Sequence, residues 1–477
     1  MQSDIDELIH IRLEGPMAEL LTKVDPKKYR KYLTEENGKK VMYVELTKAL
    51  YGTLQAAILF WKNLSGFLVD ELGFELNPYD SCVANKMING KQCTIGWHVD
   101  DLKCSHVEQS VLDNIAEKLN KKYGQETPLT IHLGLVHDHL GMTIDYSQEG
   151  KVVFTMPDYI DALLEECPED MDGIAVTPAS NNLFKVNENA EKLDGAKADE
   201  YHHLTAKLLY LSKRVRPDIQ TAVAFLCTRV KQPDVDDWKK LRRCIRYLRD
   251  SKDLPLTLEA GEGMAIKWWI DASFAVHADM RSHTGATVSL GKGCPYSISR
   301  KQRINTKSST EAELVGADDG MPLIVWTRNF LMAQGLEVTD NVMYQDNQST
   351  MLLEQNGRAS SGRRTRHIDI RYFFVTDRIK NKELRVEYYP TEDMIADLLT
   401  KPVQGAQFRK LRRVMMNLPV DTLTSNSIDT LEANSKASQE CAGARSYADV
   451  VRGTNGIGID DASESGKDLA NKSKQQK

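Results

Sequence analysis

The chain has 477 residues, more than one ordinary core holds at roughly 100–200 residues per domain, so two or three domains are expected. With 41% hydrophobic and 27% charged residues it can bury cores, which excludes a wholly disordered chain. A formal net charge of −6 gives no overall attraction to nucleic acid, so any phosphate-binding surface must come from local clusters of Lys and Arg.

The cysteines are Cys82, Cys93, Cys104, Cys167, Cys227, Cys244, Cys294 and Cys441. None forms a Cys-x-x-Cys pair or has a His partner at zinc-finger spacing, so free thiols in a reducing compartment are expected. No apolar run reaches the roughly 18 residues of a membrane helix. The acidic N-terminus, MQSDIDELIHIRLEG, lacks a signal-peptide core. A soluble intracellular protein is expected.

In chain order, residues 1–146 read as mixed helix and strand. Thr47 to Leu72 has helical apolar spacing (Leu50, Leu54, Ala57, Leu64, Leu68) and Gly73 beyond it. Ser81 to Ile88 and Lys91 to Val99 flank Asn89-Gly90, the dipeptide suited to a type I′ hairpin. Ser105 to Tyr123 reads as helix, and Ile131 to Tyr146 as two short strands. Residues 147–255 are mostly helical, with apolar periodicity at Leu204–Tyr210 and Ile219–Val230. Asp237 to Asp250 (DWKKLRRCIRYLRD) is a basic amphipathic helix. Residues 251–265 read as a Gly- and Pro-containing connector. Residues 266–402 alternate strand and helix within a last folded unit taken as residues 256–420. From Asp421 to Lys477 the composition is too polar to offset ordering entropy, so disorder is expected.

Four acids of the last folded unit have suggestive positions. Asp271 ends a strand-like run, AIKWWIDASF. Ser308-Ser309-Thr310-Glu311 has capping-box spacing, which puts Glu311 in the first turn of a long helix. Asp346 ends another strand, and Asp397 lies in a short closing helix. Carboxylates converging at a sheet edge repel one another unless cations neutralise them, and Mg²⁺ prefers hard oxygen ligands. By spacing alone, four solvated acids are the better reading.

The segments KSSTEAEL, QDNQS, RRTRHIDIRYFF and ADLLTKP, in this order between Lys267 and Pro402, resemble the ribonuclease H domain of copia-type retrotransposons. The resemblance implies Asp271, Glu311, Asp346 and Asp397 as the catalytic, metal-binding set. It implies two Mg²⁺ ions, with Mn²⁺ as an alternative, and cleavage of RNA in an RNA–DNA hybrid. It also implies a mixed five-stranded sheet with flanking helices. His367, in the RRTRHIDIR segment, reads as a substrate contact or as a helix-face histidine.

The first half resembles the reverse transcriptase of the same family. LTKALYGTLQAAILFW is similar to a segment that contacts nucleotide and template, with Gln55 in the matching place. GWHVDDLKCSH is similar to the aromatic-x-Asp-Asp hairpin, so Asp100 and Asp101 are read as remnant polymerase metal ligands on a tight turn. The resemblance starts past the family's first catalytic motif; Asp4 and Asp6 match the stretch after it. The expected architecture is therefore α/β (α+β): an incomplete reverse-transcriptase palm in residues 1–146, thumb or connection helices in 147–255, the ribonuclease H-like sheet in 256–420, and a tail in 421–477. No independent DNA synthesis is expected.

Three basic clusters are candidate phosphate contacts. Lys239, Lys240, Arg242, Arg243, Arg246 and Arg249 share one helix. Arg300, Lys301, Arg303 and Lys307 precede Glu311. Arg363, Arg364, Arg366 and Arg371 form the third. Expected partners are an RNA–DNA hybrid or template-primer, and an upstream Pol polypeptide or a second copy. The expected location is the cytoplasm, virus-like particles or the nucleus. Two other readings stay open: a catalytically silent nucleic-acid-binding remnant, and a full polymerase shortened by gene modelling.

Overall fold

The structure is a computed structural model, and it describes residues 9–46, 53–125, 127–261, 263–356 and 369–419. A small antiparallel sheet comes first, in the order β1–β3–β2, from β1 (His10–Glu14), β2 (Thr34–Glu36) and β3 (Lys39–Glu45). Helices α1 (Pro16–Val24) and α2 (Pro26–Tyr29) connect β1 to β2, and each starts with proline, whose missing N–H would be unsatisfied there anyway.

Helix α3 (Leu54–Gly66) is capped by Thr53, whose hydroxyl accepts from the Ala56 N–H at 3.2 Å. It runs on through a π turn at Phe67–Glu71 and stops at Gly73, which holds φ 70°. The helix expected from Thr47 is thus seen from Leu54; residues 47–52 lie outside the described residues. Strands β4 (Glu75–Asn77), β5 (Asp80–Ile88), β6 (Lys91–His98) and β7 (Asp101–Ser105) then form an antiparallel sheet in chain order. Asn89 and Gly90, at φ 52° and 73°, close β5 onto β6 as their sequence predicts. Helix α4 (Gln109–Tyr123) sets Val111, Ile115 and Leu119 into the core beneath this sheet, with Leu64, Leu68 and Ile95.

Strands β8 (Val136–His139), β9 (Met142–Asp145) and β10 (Lys151–Thr155) form a meander, followed by α5 (Pro157–Glu165), α6 (Gly195–Ser212), α7 (Gln220–Cys227) and α8 (Val235–Asp250). The stretch read as a connector holds β11 (Leu256–Ala260), which extends the meander by pairing with β10. Its LTLEA alternation outweighs the Pro255 before it.

The next sheet has the order β15–β13–β12–β16–β17, from β12 (Ala265–Ser273), β13 (His283–Ser289), β15 (Tyr296–Lys301), β16 (Asp340–Gln345) and β17 (Arg385–Tyr388). The first three strands are antiparallel, and β16 and β17 run parallel to β12. This is the mixed five-stranded arrangement of ribonuclease H-like sheets. Between β13 and β15 the short β14 (Gly291–Lys292) pairs with β11 and ties the two sheets together. Helices α9 (Ser309–Ala333), α10 (Gln348–Asn356) and α11 (Asp369–Lys380) flank the sheet. A 3₁₀ turn at Ile395–Leu399 and α12 (Gly405–Met416) close the described chain.

The packing does not stop at the expected 255/256 boundary. Leu208, Val223, Leu241 and Leu248 from the connection helices share one core with Ile395, Leu399, Phe408 and Leu411 from the closing segment. The Thr221 hydroxyl donates to the Leu398 carbonyl at 2.5 Å, and Arg412 donates to the Tyr247 hydroxyl at 2.8 Å. Helix α7 therefore seats the turn that carries Asp397. On the other side, α9 meets the first-half sheet: Trp326 Nε1 donates to the Tyr79 carbonyl at 2.9 Å.

Candidate metal centre

Asp271 lies near the end of β12 and is 1% exposed. Asp346 follows the last residue of the neighbouring parallel strand β16. Parallel neighbours present their ends to the same sheet edge, so the two acids meet there. Helix α9 crosses β12 closely because its sheet-facing side carries small residues. A side chain at Gly320 would meet Ile270 at 2.7 Å, and one at Gly316 would meet Ala272 at 3.5 Å. Glu313 falls on this same stripe, three and seven residues before those glycines. Ligand atoms of Asp271, Glu313 and Asp346 all lie within 4.8 Å of one another, the one such acidic trio among the described residues.

Glu311, the helix acid expected from the sequence, is not in this trio. Ser308 caps α9 by accepting from the Glu311 N–H at 3.2 Å, and the Glu311 carboxylate turns back to accept from the Lys307 N–H at 2.8 Å. The Glu311 carboxylate is thus engaged at the helix end. Two residues further is about 200° round a helix of 3.6 residues per turn, and that brings Glu313 to the sheet side. The signal was present in the sequence: Glu313, Gly316, Ala317 and Gly320 have one-face spacing, and Glu311 does not share it.

The carboxylates act on one another electrostatically. Burial raises the Glu313 carboxyl well above its ordinary range, and Asp271 and Asp346 push it further. Its Oε2 is buried with no hydrogen-bond partner among the described residues. Burial and then Asp271 raise Asp346, which accepts from the Thr391 hydroxyl at 3.0 Å. Asp397 sits beside Asp271, outside the trio. Burial first, then the charge of Asp271, pushes it up to about 7. Lys401, one helical turn on, reaches back to Asp397 at 2.5 Å and to Asp271 at 3.4 Å. Burial acts to lower the Lys401 pKa, but Asp271 and Asp397 outweigh it and hold the ammonium charged. Thr400 also donates its hydroxyl to Asp271. Three hard oxygen ligands, one of them orphaned, suit a divalent cation such as Mg²⁺.

The remaining sequence candidates fall elsewhere. Asp100 and Asp101 are exposed at the β6–β7 turn, whose first residue, Val99, holds φ 55°. That matches the expected tight turn, but no third acid joins them in a metal-ligand group among the described residues. Gln55 lies in the second position of α3, its Oε1 buried without a partner. Arg366, His367, Arg363 and Arg364 lie outside the described residues, as do Asp4, Asp6 and residues 420–477. Lys239 is exposed, whereas Arg243 and Arg246 are half-buried and turned toward neighbouring residues. Lys239 pairs with Asp236 at 2.8 Å, Arg243 donates to Thr177 at 2.8 Å, and Arg246 donates to the Asp170 carbonyl at 3.2 Å. No described helix is long and apolar enough to cross a membrane.

No family model matches the chain. It is 28% identical over 391 residues to the retrovirus-related Pol polyprotein of transposon TNT 1-94 from Nicotiana tabacum, a match covering 80% of this chain and 28% of that protein. It is 26% identical over 372 residues to the corresponding polyprotein of transposon RE2 from Arabidopsis thaliana, covering 77% and 25%. The chain thus spans about a quarter of the length of these relatives. Among solved structures it is similar to the N-terminal RNase H domain of a Mycobacterium tuberculosis protein, at 12% identity and TM-score 0.21, covering 29% of this chain and 91% of that one. The chain is a homologue of the Pol polyproteins of Ty/copia-type retrotransposons.

Proposed function

We propose that this chain hydrolyses the RNA strand of RNA–DNA hybrids with Mg²⁺, from a site built on Asp271, Glu313 and Asp346 with Asp397 alongside. The observation that carries the reading is the acidic trio at the edge of a ribonuclease H-like sheet, Asp271 and Glu313 buried and Asp346 half-buried, with ligand atoms within 4.8 Å of one another. Bound there, Mg²⁺ or Mn²⁺ would supply the positive charge that activates a water and steadies the departing oxygen in phosphodiester hydrolysis. The protein's own part is to hold the carboxylates at fixed spacing. Thr400 orients Asp271, Thr391 orients Asp346, and the Glu311 cap fixes the start of the helix that brings Glu313 in. Selection of RNA over DNA would rest on the 2′-hydroxyl and the groove shape of the hybrid.

The first half is read as a reverse-transcriptase-like palm whose Asp100–Asp101 turn does not carry synthesis by itself. Two carboxylates on an exposed turn hold an ion weakly when no third ligand completes the group. A primer-extension assay on this chain is expected to give no product.

The test of the nuclease reading is cleavage of a labelled RNA–DNA hybrid by the full chain with Mg²⁺, beside Asp346→Asn. The full chain is needed because the closing turn that carries Asp397 packs on α7 and α8. Cleavage by the wild type and none by the variant supports the reading. A folded wild-type protein that leaves the hybrid intact refutes it and favours a nucleic-acid-binding role without catalysis.

A further inference from the structure

A cavity of about 470 Å³ lies between α8 and residues 174–187, away from the carboxylate trio. Its α8 wall carries Lys239, Lys240, Arg242, Arg243 and Arg246, against one acid, Asp236. Asp236 is taken up by Lys239 at 2.8 Å. Lys240 donates to the Lys185 carbonyl at 2.6 Å and stands 3.9 Å from Asp237. The three arginines have no carboxylate partner among the described residues. Arg243 reaches only the Thr177 hydroxyl, and Arg246 only the Asp170 carbonyl. The Nε atoms of both are buried without a hydrogen-bond partner. Burial lowers the Arg243 pKa, and no acid offsets it.

Three guanidinium groups gather around one cavity, and for Arg243, whose charge burial disfavours, the lack of an anionic partner is costly. Guanidinium forks match phosphate oxygens in geometry as well as charge. A terminal phosphate carries about −1.5 to −2 at neutral pH and a backbone phosphodiester about −1, so about two of the former or three of the latter would balance the three arginines. The cavity is large enough for such a group, and the polar side chains of Asn182 and Asn187 line its far side.

We infer that this cavity is a phosphate-binding site, taking a ligand that presents two or more closely spaced phosphates. The ligand is a free polyphosphate or the backbone of a nucleic-acid strand. The inference does not depend on the nuclease reading, because no residue of the trio lines the cavity.

The test is isothermal titration of the full chain with sodium tripolyphosphate at low salt, with EDTA to keep metals out. Saturable one-to-one binding is expected, weakened about tenfold or more by Arg242→Glu and by Arg243→Gln. Arg242 makes no hydrogen bond among the described residues that its replacement would break, so an unchanged melting temperature in Arg242→Glu separates lost binding from lost folding. A second arm uses a fluorescein-labelled single-stranded DNA 12-mer. Its displacement by tripolyphosphate identifies a nucleic-acid backbone as the source of the phosphates. An oligonucleotide that stays bound, or never binds, identifies a free polyphosphate. No saturable binding of tripolyphosphate, or binding unchanged in both variants, overturns the site.

Discussion

Glu311 and Glu313 stand two positions apart on one helix and face opposite tasks: Glu311 accepts from the Lys307 backbone at the helix end, while Glu313 meets Asp271 and Asp346 at the sheet edge. Single substitutions should separate them. Glu313→Gln is expected to reduce Mg²⁺-dependent hybrid cleavage by at least about a hundredfold, the scale on which a lost transition-state electrostatic contact is felt. Glu311→Gln keeps the helix cap in weaker form and should cost about 1 kcal/mol of stability or less, with cleavage within about threefold of wild type at a temperature where both variants are folded. Cleavage rates and urea denaturation of the two variants decide the matter. Equal losses of cleavage would contradict the assignment.

That pair also shows how far the sequence could be read. The strand ends bearing Asp271 and Asp346, the short turn with Asp397 and the Ser308 cap all follow from local signals: alternation, spacing and a capping residue. The choice between two glutamates has a sequence signal, the spacing of Glu313 with Gly316 and Gly320, but reading it requires knowing that this helix face lies on β12. The strand β11 was hidden for a similar reason. Its partners, β10 and β14, are remote in the chain, and pairing across such distances leaves little local trace. The inward turn of Lys240, Arg243 and Arg246 had no local signal either, since it is set by residues 174–187 folding over α8.

Lys401 stands 2.5 Å from Asp397 and 3.4 Å from Asp271, so without a metal ion it is the nearest positive charge to these two acids. Lys401→Met should lower the melting temperature in EDTA, since two buried carboxylates lose their counter-charge. Added Mg²⁺ should then raise the melting temperature more in the variant than in the wild type, because a bound ion replaces what was removed. Thermal denaturation of both proteins across a Mg²⁺ series measures this. Identical curves would show that Lys401 does not compensate the site.

Glu354 on α10 is fully buried, and both its carboxylate oxygens lack hydrogen-bond partners among the described residues. Burial pushes its pKa up to about 8. The folded state therefore holds a proton that the unfolded chain releases near the ordinary glutamate value of about 4.3. Its stabilising contribution is fully present below that value and is lost as pH rises through about 8. Glu313, Asp346 and Asp397 shift in the same direction without metal, so the effect of Glu354 must be read as a difference. Glu354→Gln should be more stable than wild type at pH 8.5, with the gap shrinking toward pH 5. Chemical denaturation of both proteins at the two pH values, with saturating Mg²⁺, gives the comparison. A gap that does not change with pH would place the Glu354 charge elsewhere.

Arg216 and Asp218 form a fully buried pair, with Nε–Oδ1 2.9 Å and Nη2–Oδ2 2.8 Å. Arg216 also donates to the Ser251 carbonyl at 2.7 Å, and Tyr247 donates its hydroxyl to Asp218. Burial acts against both charges, yet each partner holds the other ionised: Arg216 is raised and Asp218 lowered. Three residues beyond Asp218, Thr221 holds the Leu398 carbonyl next to Asp397. Arg216→Met strands the Asp218 carboxylate in the core and should cost about 3–5 kcal/mol. Asp218→Asn alone keeps the shape but leaves the guanidinium unpaired, so a loss of similar order is expected. The double variant Arg216→Met/Asp218→Leu should recover part of it, because burying no charge is cheaper than burying one. Urea denaturation across this cycle gives the coupling. Strictly additive losses would mean that the pair contributes nothing as a pair.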